Sequence, residues 1–409
     1  MEIRPILSAL MRSKVALVLI GLQIALTLAI VCNSLFIISQ RVQMMGRESG
    51  INEADTFTIG SLGFGAAFDI KTSIQEDVAL LRSLPGVADA TPTNTTPMSN
   101  GGWSTGINLT REQKTSTAPS AMYFVDEHGL NAFGAKLAEG RFFTADEITF
   151  RERSSVDWPP VIVITRALAN KLFPDQSALG KQVYLDTEGN PNTIIGVVER
   201  MQVPWIGWSA EDGPDAEFYS TFVPQNVAFG NFGRYLVRTE PGRRDEVMKA
   251  AEAAMLKSNH SRIVREPRTI ERIRAEGYQG HRAMTIILIG VIVSLLAVTA
   301  LGIVGMASFW VTQRTKQIGT RRALGATRGS ILRYFMTENF VITSLGLALG
   351  VLLTYGLNYW LMANYAAQRL PLVYLAGGIV VLMLLGQAAV FGPATRASRV
   401  PPAVATRSV

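Results

Sequence analysis

Cysteine occurs once and histidine three times in the 409 residues of this chain. The single thiol, Cys32, permits no internal disulfide, so any folded domain must hold together by its own core. His128, His260 and His281 are far apart with no cysteine beside them, and no zinc site is expected. Charge is scarce too. Only 17% of residues are Asp, Glu, Lys or Arg, against 48% hydrophobic. That is too apolar for an ordinary soluble protein of two domains and indicates a membrane class. Catalytic signatures are missing as well. No G-x-x-x-x-G-K-[ST] occurs, and the nearest fragment, SALGKQV at 177–183, has Gln182 where a Ser or Thr would hold magnesium. There is no G-x-S-x-G elbow and no H-E-x-x-H. GSLGFGAAFD at 60–69 lacks the setting of a phosphate cradle and reads as a flexible turn. No enzyme, cofactor or metal is expected.

What is present is four windows without a single charge: residues 15–39, 283–311, 340–365 and 371–393. About 20 helical residues cross a hydrocarbon core of roughly 30 Å, so each window is long enough to span it. The first is too long for a signal-peptide core and has no small-x-small site before Gln40, so it reads as an uncleaved span. Val31 before Cys32 argues against lipoprotein processing, leaving the thiol as an apolar side chain facing lipid or a helix. Gln23, Asn33, Asn358 and Gln387 are the polar exceptions. Because ion and proton pathways need ionisable groups inside the bundle, their absence argues against an ion-coupled transporter. Gly346-x-x-x-Gly350 permits close helix packing, within the bundle or across a dimer.

Charge placement orients these spans. Residues 1–14, 312–339 and 394–409 hold twelve Lys/Arg against two acids, Glu2 and Glu338. Residues 40–282 hold 26 Lys/Arg and 30 Asp/Glu. The positive-inside rule therefore puts both termini and the 312–339 loop in the cytoplasm, and one 243-residue segment outside. The basic balance of the chain reports topology, and nucleic-acid binding is not expected.

The outer segment mixes helical and strand periods. TSIQEDVALLRSLPG reads as a helix with Ser73 and Glu76 as a capping box and a stripe of Ile74, Val78 and Leu81. PGRRDEVMKAAEAAMLKSN reads likewise, with Pro241 near its start and Val247, Ala251, Ala254 and Met255 on one side. VIVIT (161–165), KQVYLD (181–186), NTIIGVVE (192–199) and RYLVRT (234–239) read as strands. This order predicts an α+β domain. Residues 91–120, rich in Thr, Ser, Asn, Pro and Gly, read as a mobile surface loop or small subdomain. Trp205 and Trp208 beside an acidic stretch read as buried structural aromatics, with a contact for a partner or substrate as the alternative. Polar residues 268–282, and QRVQMMGRES after the first window, are candidates to prolong spans two and one outward as a stalk.

One stretch stands apart: RTKQIGTRRALGATRGSILRYF, residues 314–335, with six basic residues and no acid. TKQIGTRRALG forms about three helical turns closed by Gly325 at C′, and Thr327 or Ser330 starts the next helix. Ile318, Leu324 and the cations are expected to face the cytoplasm. Composition leaves two readings open: a surface for another protein, or cations that satisfy the inner leaflet.

QRTKQIGTRRALGATRGSILRYFMTENF resembles the cytoplasmic loop of the FtsX-like permease family through Arg314, Thr315, Ile318, Gly319, Arg321, Ala323, Gly325, Ala326 and Glu338. GPATRASRVPPAVATR resembles the family's ending, making 283–400 an FtsX-like permease domain. LRSLPGVADATP, LAEGRFFTADE, VIVITRALANKLFPDQSALGKQV and NTIIGVVER are similar, in order, to a MacB-type periplasmic core domain. The resemblance implies four transmembrane helices with a large α+β periplasmic domain between helices 1 and 2, in a bacterial inner membrane. It implies the permease subunit of an ABC transporter working by mechanotransmission, with a cytoplasmic ATPase on a separate chain and a second permease subunit. Coupling to that ATPase falls to Arg314, Thr315, Gln317, Ile318, Gly319, Arg321, Arg322, Ala323, Leu324, Gly325 and Ala326. Gln317 departs from the family's usual Glu, which alters any ion pair made there. Export with a periplasmic adaptor and outer-membrane channel is the expected task. Lipoprotein release, or relaying ATPase motion to a cell-wall hydrolase or sensor kinase, is the alternative.

Overall fold

The computed structural model of the chain describes residues 14–65, 68–152, 157–185, 189–208, 212–213, 215–365 and 368–401. The cationic residues 1–13 and the ending beyond Pro401 lie outside the described residues. Two compact units emerge: Arg47–Gly280, and the remainder of the chain on either side of it.

The first helix, α1 (Lys14–Met45), continues past its charge-free window to Met45. The Arg47–Gly280 unit then starts with β1 (Thr56–Gly63), α2 (Ile70–Ser83) and β2 (Val87–Pro92), followed by β3 (Trp103–Ile107) and β4 (Ala118–Phe124). A short α3 (Gly129–Phe133) leads to β5 (Leu137–Gly140), β6 (Thr149–Arg151) and β7 (Val161–Thr165). Next come α4 (Arg166–Leu172), β8 (Gln182–Val183), β9 (Asn192–Val198), β10 (Ser220–Val223) and β11 (Gln225–Val227). The chain returns through β12 (Phe232–Thr239), α5 (Arg244–Ser258), β13 (Arg262–Thr269) and α6 (Ile270–Gly277).

One sheet has the order β13-β1-β12-β2, every neighbour antiparallel. Because strand side chains alternate, Phe57 and Ile59 share the face that also carries Tyr235 and Val237. The stripes of α2 (Ile74, Val78, Leu81) and α5 (Val247, Ala251, Met255) cover that face. The second sheet, β3-β4-β10-β7-β9-β5, mixes parallel and antiparallel pairs around a core of Met122, Phe124, Ile162, Ile164, Ile194 and Val197. The unit is thus α+β.

In the other unit, α7 (Gln279–Gln313), α8 (Thr315–Ala323), α9 (Arg328–Tyr365) and α10 (Leu372–Ser398) follow in sequence. Among the described residues, α1, α7, α9 and α10 are long and apolar enough to cross a membrane. Small residues set their packing. A Cβ on Gly346 would come within 3.0 Å of the Gly21 carbonyl, and one on Gly350 within 3.1 Å of the Ala25 Cα, so α9 lies backbone to backbone on α1. Gly378 of α10 makes room for the Cys32 and Leu28 side chains of α1. The thiol is therefore buried in a helix seam.

Several sequence expectations are corrected. α2 is capped by Asp69, whose carboxylate accepts from the Lys71 and Thr72 amides at 3.2 Å; Ser73 lies inside the helix, buried, so the Ser73–Glu76 capping box does not form. Residues 91–120 are a surface loop only in part. They hold the end of β2, β3 and the start of β4, and Thr91, Thr95, Thr96 and Met98 are buried, whereas 109–117 form a largely exposed connection between β3 and β4. Gly60–Gly63 of the supposed turn belongs to β1, where the Phe232 ring covers Gly60; Ala66 and Ala67 lie outside the described residues. KQVYLD keeps only Gln182–Val183 as strand, with Asp186 outside the described residues. Trp205 and Trp208 pack on each other, centroids 5.5 Å apart, half-buried.

Candidate functional site

The 314–338 stretch is built around a one-residue bend. α7 ends at Gln313 and α8 starts at Thr315, with Arg314 between them at φ −99° and ψ 10°. The helical ladder crosses the bend: the Arg314 amide donates to Trp310 (3.0 Å) and the Ile318 amide to Arg314 (2.9 Å). α8 closes with Gly325 at φ +95°, the Gly325 amide donating to Arg322 (3.2 Å) and the Ala326 amide to Arg321 (3.0 Å). These paired bonds are the Schellman arrangement, which favours a residue without Cβ at C′. Thr327 then caps α9, its hydroxyl accepting from the Ser330 amide at 3.2 Å.

α8 has two unlike faces. Ile318 is 4% exposed and packs with Ile331 and Phe335 of α9 and Ala394 and Ala397 of α10. The expectation that Ile318 faces the cytoplasm is therefore corrected: the side chain anchors α8, because burying it against two helices outweighs presenting it to water. Gly319 is buried beside it. On the other side Lys316, Gln317, Thr320, Arg321, Ala323 and Leu324 are exposed, Leu324 at 83%. Thr315 is half-buried, its hydroxyl donating to the Val311 and Thr312 carbonyls at 2.9 Å. Ala326 sits at the rim of the Ile318 cluster.

The cations divide by role. Arg314 donates through Nη1 to both carboxylate oxygens of Glu338, at 3.0 Å each, and Glu338 is 1% exposed. Arg321 lies over the Tyr334 ring at 5.1 Å. Arg322 donates to the Ser398 carbonyl at 2.6 Å, at the end of α10 where the helix dipole favours a cation. Glu338, Tyr334, Ala394 and Ala397 were not selected as site residues from sequence. One signal was available for Glu338: it is the sole acid in 312–339. Gly346 and Gly350 fall in the α9–α1 seam and take no part in the α8 face.

The Arg47–Gly280 unit carries a cleft of about 660 Å³ lined by Glu48, Asn52, Glu53, Lys136, Glu199 and Arg200 among others. Its charges are mixed and partly engaged, Glu53 by Arg274 at 2.6 and 2.8 Å and Glu48 by Arg200 at 3.4 Å. Among the described residues no group of three His, Cys, Asp or Glu is placed to hold a metal ion.

Two family models match this architecture, the MacB-like periplasmic core domain over residues 15–254 and the FtsX-like permease C-terminal domain over 288–402. The chain belongs to the FtsX-like ABC transporter permease family. Its α+β unit is of the MacB-like core type that the first of these models describes. Among relatives of this permease, the macrolide export ATP-binding/permease protein MacB of Chromobacterium violaceum is 29% identical over 66% of the chain and 40% of the relative. MacB of Neisseria gonorrhoeae is 26% identical over 86% of the chain and 52% of the relative. An ABC transporter permease of Bacillus subtilis, YknZ, is 29% identical over 69% and 68%. The permease spans about half the length of the macrolide exporters it matches. The periplasmic region of MacB from Actinobacillus actinomycetemcomitans aligns at 16% identity and TM-score 0.33, over 55% of this chain and 94% of that one.

Proposed function

We propose that this chain is the permease subunit of an ABC transporter that passes the motion of a cytoplasmic ATPase, carried on another polypeptide, to the α+β unit on the far side of the membrane. α1, α7, α9 and α10 are the spans, the two termini and α8 lie in the cytoplasm, and Arg47–Gly280 projects into the periplasm. Export is the task this reading favours, in keeping with the macrolide exporters among the relatives. The permease works as a pair, with an adaptor and outer-membrane channel as further partners.

The observation that carries this reading is the two-faced α8. A nine-residue helix held from behind by Ile318 exposes Lys316, Gln317, Thr320, Arg321 and Ala323 and is followed at its C-cap by the exposed Leu324, between two long apolar helices. A single exposed leucine is ordinary. An exposed leucine closing a short, rigidly backed helix that also shows Lys316 and Arg321 to solvent is a docking feature for a partner with an apolar cleft and acidic rim. Leu324→Asp tests it. Isolated in mild detergent, the native chain is expected to bring an ATPase with it, and the variant to insert normally but lose that partner and the chain-stimulated ATP turnover. Undiminished co-purification and turnover in the variant would count against the docking face.

A further inference from the structure

The bend at Arg314 is held shut by a buried ion pair. Arg314 is the one residue between α7 and α8, and the same residue reaches 24 positions along the chain to Glu338 inside α9. Its guanidinium bridges both carboxylate oxygens at 3.0 Å, while the ring of Trp310 lies 5.8 Å from it. Glu338 has 1% and Arg314 18% of its side chain exposed, so water solvates the carboxylate hardly at all. A charge buried this far persists only with its partner in place. Two more ties run in parallel: the Ile318–Ile331–Phe335–Ala394–Ala397 cluster and the bond from Arg322 to the Ser398 carbonyl. By contrast α7 is weakly supported. Ile303, Ala307 and Trp310 near its end pack on other helices, but Ile286, Ile287, Val293 and Leu301 are each at least 60% exposed.

We propose that the Arg314–Glu338 pair is a clamp that locks α8 to the cytoplasmic ends of α9 and α10 as one rigid block, so that a push on α8 tilts the third and fourth spans directly. Arg314 and Glu338 are positioning residues in this scheme: they fix where the lever points and do not themselves meet the ATPase. The purpose of the clamp rests on the reading of α8 as the ATPase lever, though the clamp itself is a property of the chain alone. Without the pair, only the Ile318 cluster and the Arg322–Ser398 bond hold α8, and its angle at the Arg314 end spreads, so that part of the push is dissipated. The backbone hydrogen bonds from Arg314 to Trp310 and from Ile318 to Arg314 carry the helical ladder through the bend, and the side-chain ties join α8 to α9 and α10.

The test uses the full chain in nanodiscs with Cys32→Ser, spin-labelled at Thr320→Cys on α8 and Arg333→Cys on α9. A control pair at Leu22→Cys and Leu345→Cys reports the α1–α9 seam. Glu338→Gln and Arg314→Gln are each expected to widen the 320–333 distance distribution about two-fold while the control stays narrow, and Arg314→Lys to keep it narrow. Should either single variant also loosen the control, the double Arg314→Gln/Glu338→Gln, which strands no charge, must still widen 320–333 with a narrow control. An unchanged 320–333 distribution in that double variant overturns the clamp. These measurements need no ATPase, so their failure leaves the docking face of Leu324 untouched. In the complex with its ATPase, Glu338→Gln is expected to keep ATP turnover but lose the ATP-driven shift between labels at 333 and 22. An undiminished shift overturns the proposal as well.

Discussion

Single side chains show how the Arg47–Gly280 unit, which contains no cysteine, holds together. Asp77 of α2 and Arg262 of β13 form an ion pair with 3% and 1% of their side chains exposed. Tyr235 donates to the same carboxylate at 2.7 Å, and Arg262 also donates to the Met255 carbonyl at 2.8 Å. Breaking such a pair leaves a buried charge unmatched, which costs about 3–5 kcal/mol. Asp77→Ala is therefore expected to lower the unfolding midpoint of the purified chain strongly, while Asp77→Ala with Arg262→Met recovers much of the loss in the same denaturation assay. A second, milder effect depends on pH. The hydrogen bond from Arg141 holds the Glu147 carboxyl down at about 2, against an ordinary 4.5, with help from the Thr144 amide at 3.0 Å. A depressed carboxyl stabilises the fold above its unfolded value, and that contribution disappears as pH falls from 4.5 toward 2. Arg141 is half exposed, so the pair contributes at most about 1 kcal/mol. Glu147→Gln is expected to lower stability slightly at pH 7 and to flatten the acid limb of the stability profile in that window.

Helices and strands differ in how readable they were. α5 was legible because its period is clean and it buries a single face, Val247, Ala251 and Met255; β7 was legible as a short continuous β-branched run, Ile162 to Thr165, buried on both faces of its sheet. The start of α2 was not, since Asp69 and Ser73 are both good caps and only the path of the chain selects between them. Residues 91–120 misled for a related reason. Thr91, Thr93 and Thr95 bond within the protein and are buried, which composition alone cannot distinguish from solvation. The Gly346 and Gly350 seam gives the clearest consequence for an element. Gly350→Val is expected to push α9 off α1, because a branched side chain would meet the Leu28 Cδ2 and Ala25 Cα already within 3.1 Å of its first carbon. Overpacking of this kind costs about 1–3 kcal/mol. A lower melting temperature in detergent, with secondary structure retained, checks it; an unchanged melt would mean that the two helices do not meet there.

For the entire chain, the decisive quantity is the placement of charge relative to four apolar helices. The arrangement proposed above puts Lys249 and Lys316 on opposite sides of the membrane. With Cys32 replaced by Ser, an impermeant maleimide applied to cells with a permeable outer membrane is expected to label Lys249→Cys and to spare Lys316→Cys. Labelling of both, or of the second alone, contradicts the topology. The division of labour between the two units follows from the same chemistry. The Arg47–Gly280 unit buries two sheet cores of its own, whereas α7 leaves most of its apolar surface outward, as a helix does when its solvent is hydrocarbon.

Hydropathy, charge asymmetry and local motifs were enough to specify four apolar helices, an α+β unit between the first two, and the permease family, because each depends on residues near one another in the chain or on summed composition. The inward turn of Ile318, the burial of Met98 and the grip of Arg314 on Glu338 came only with the folded arrangement. Each depends on side chains that long stretches of chain separate, and pairing across such distances is settled by packing and desolvation, which leave no periodic trace.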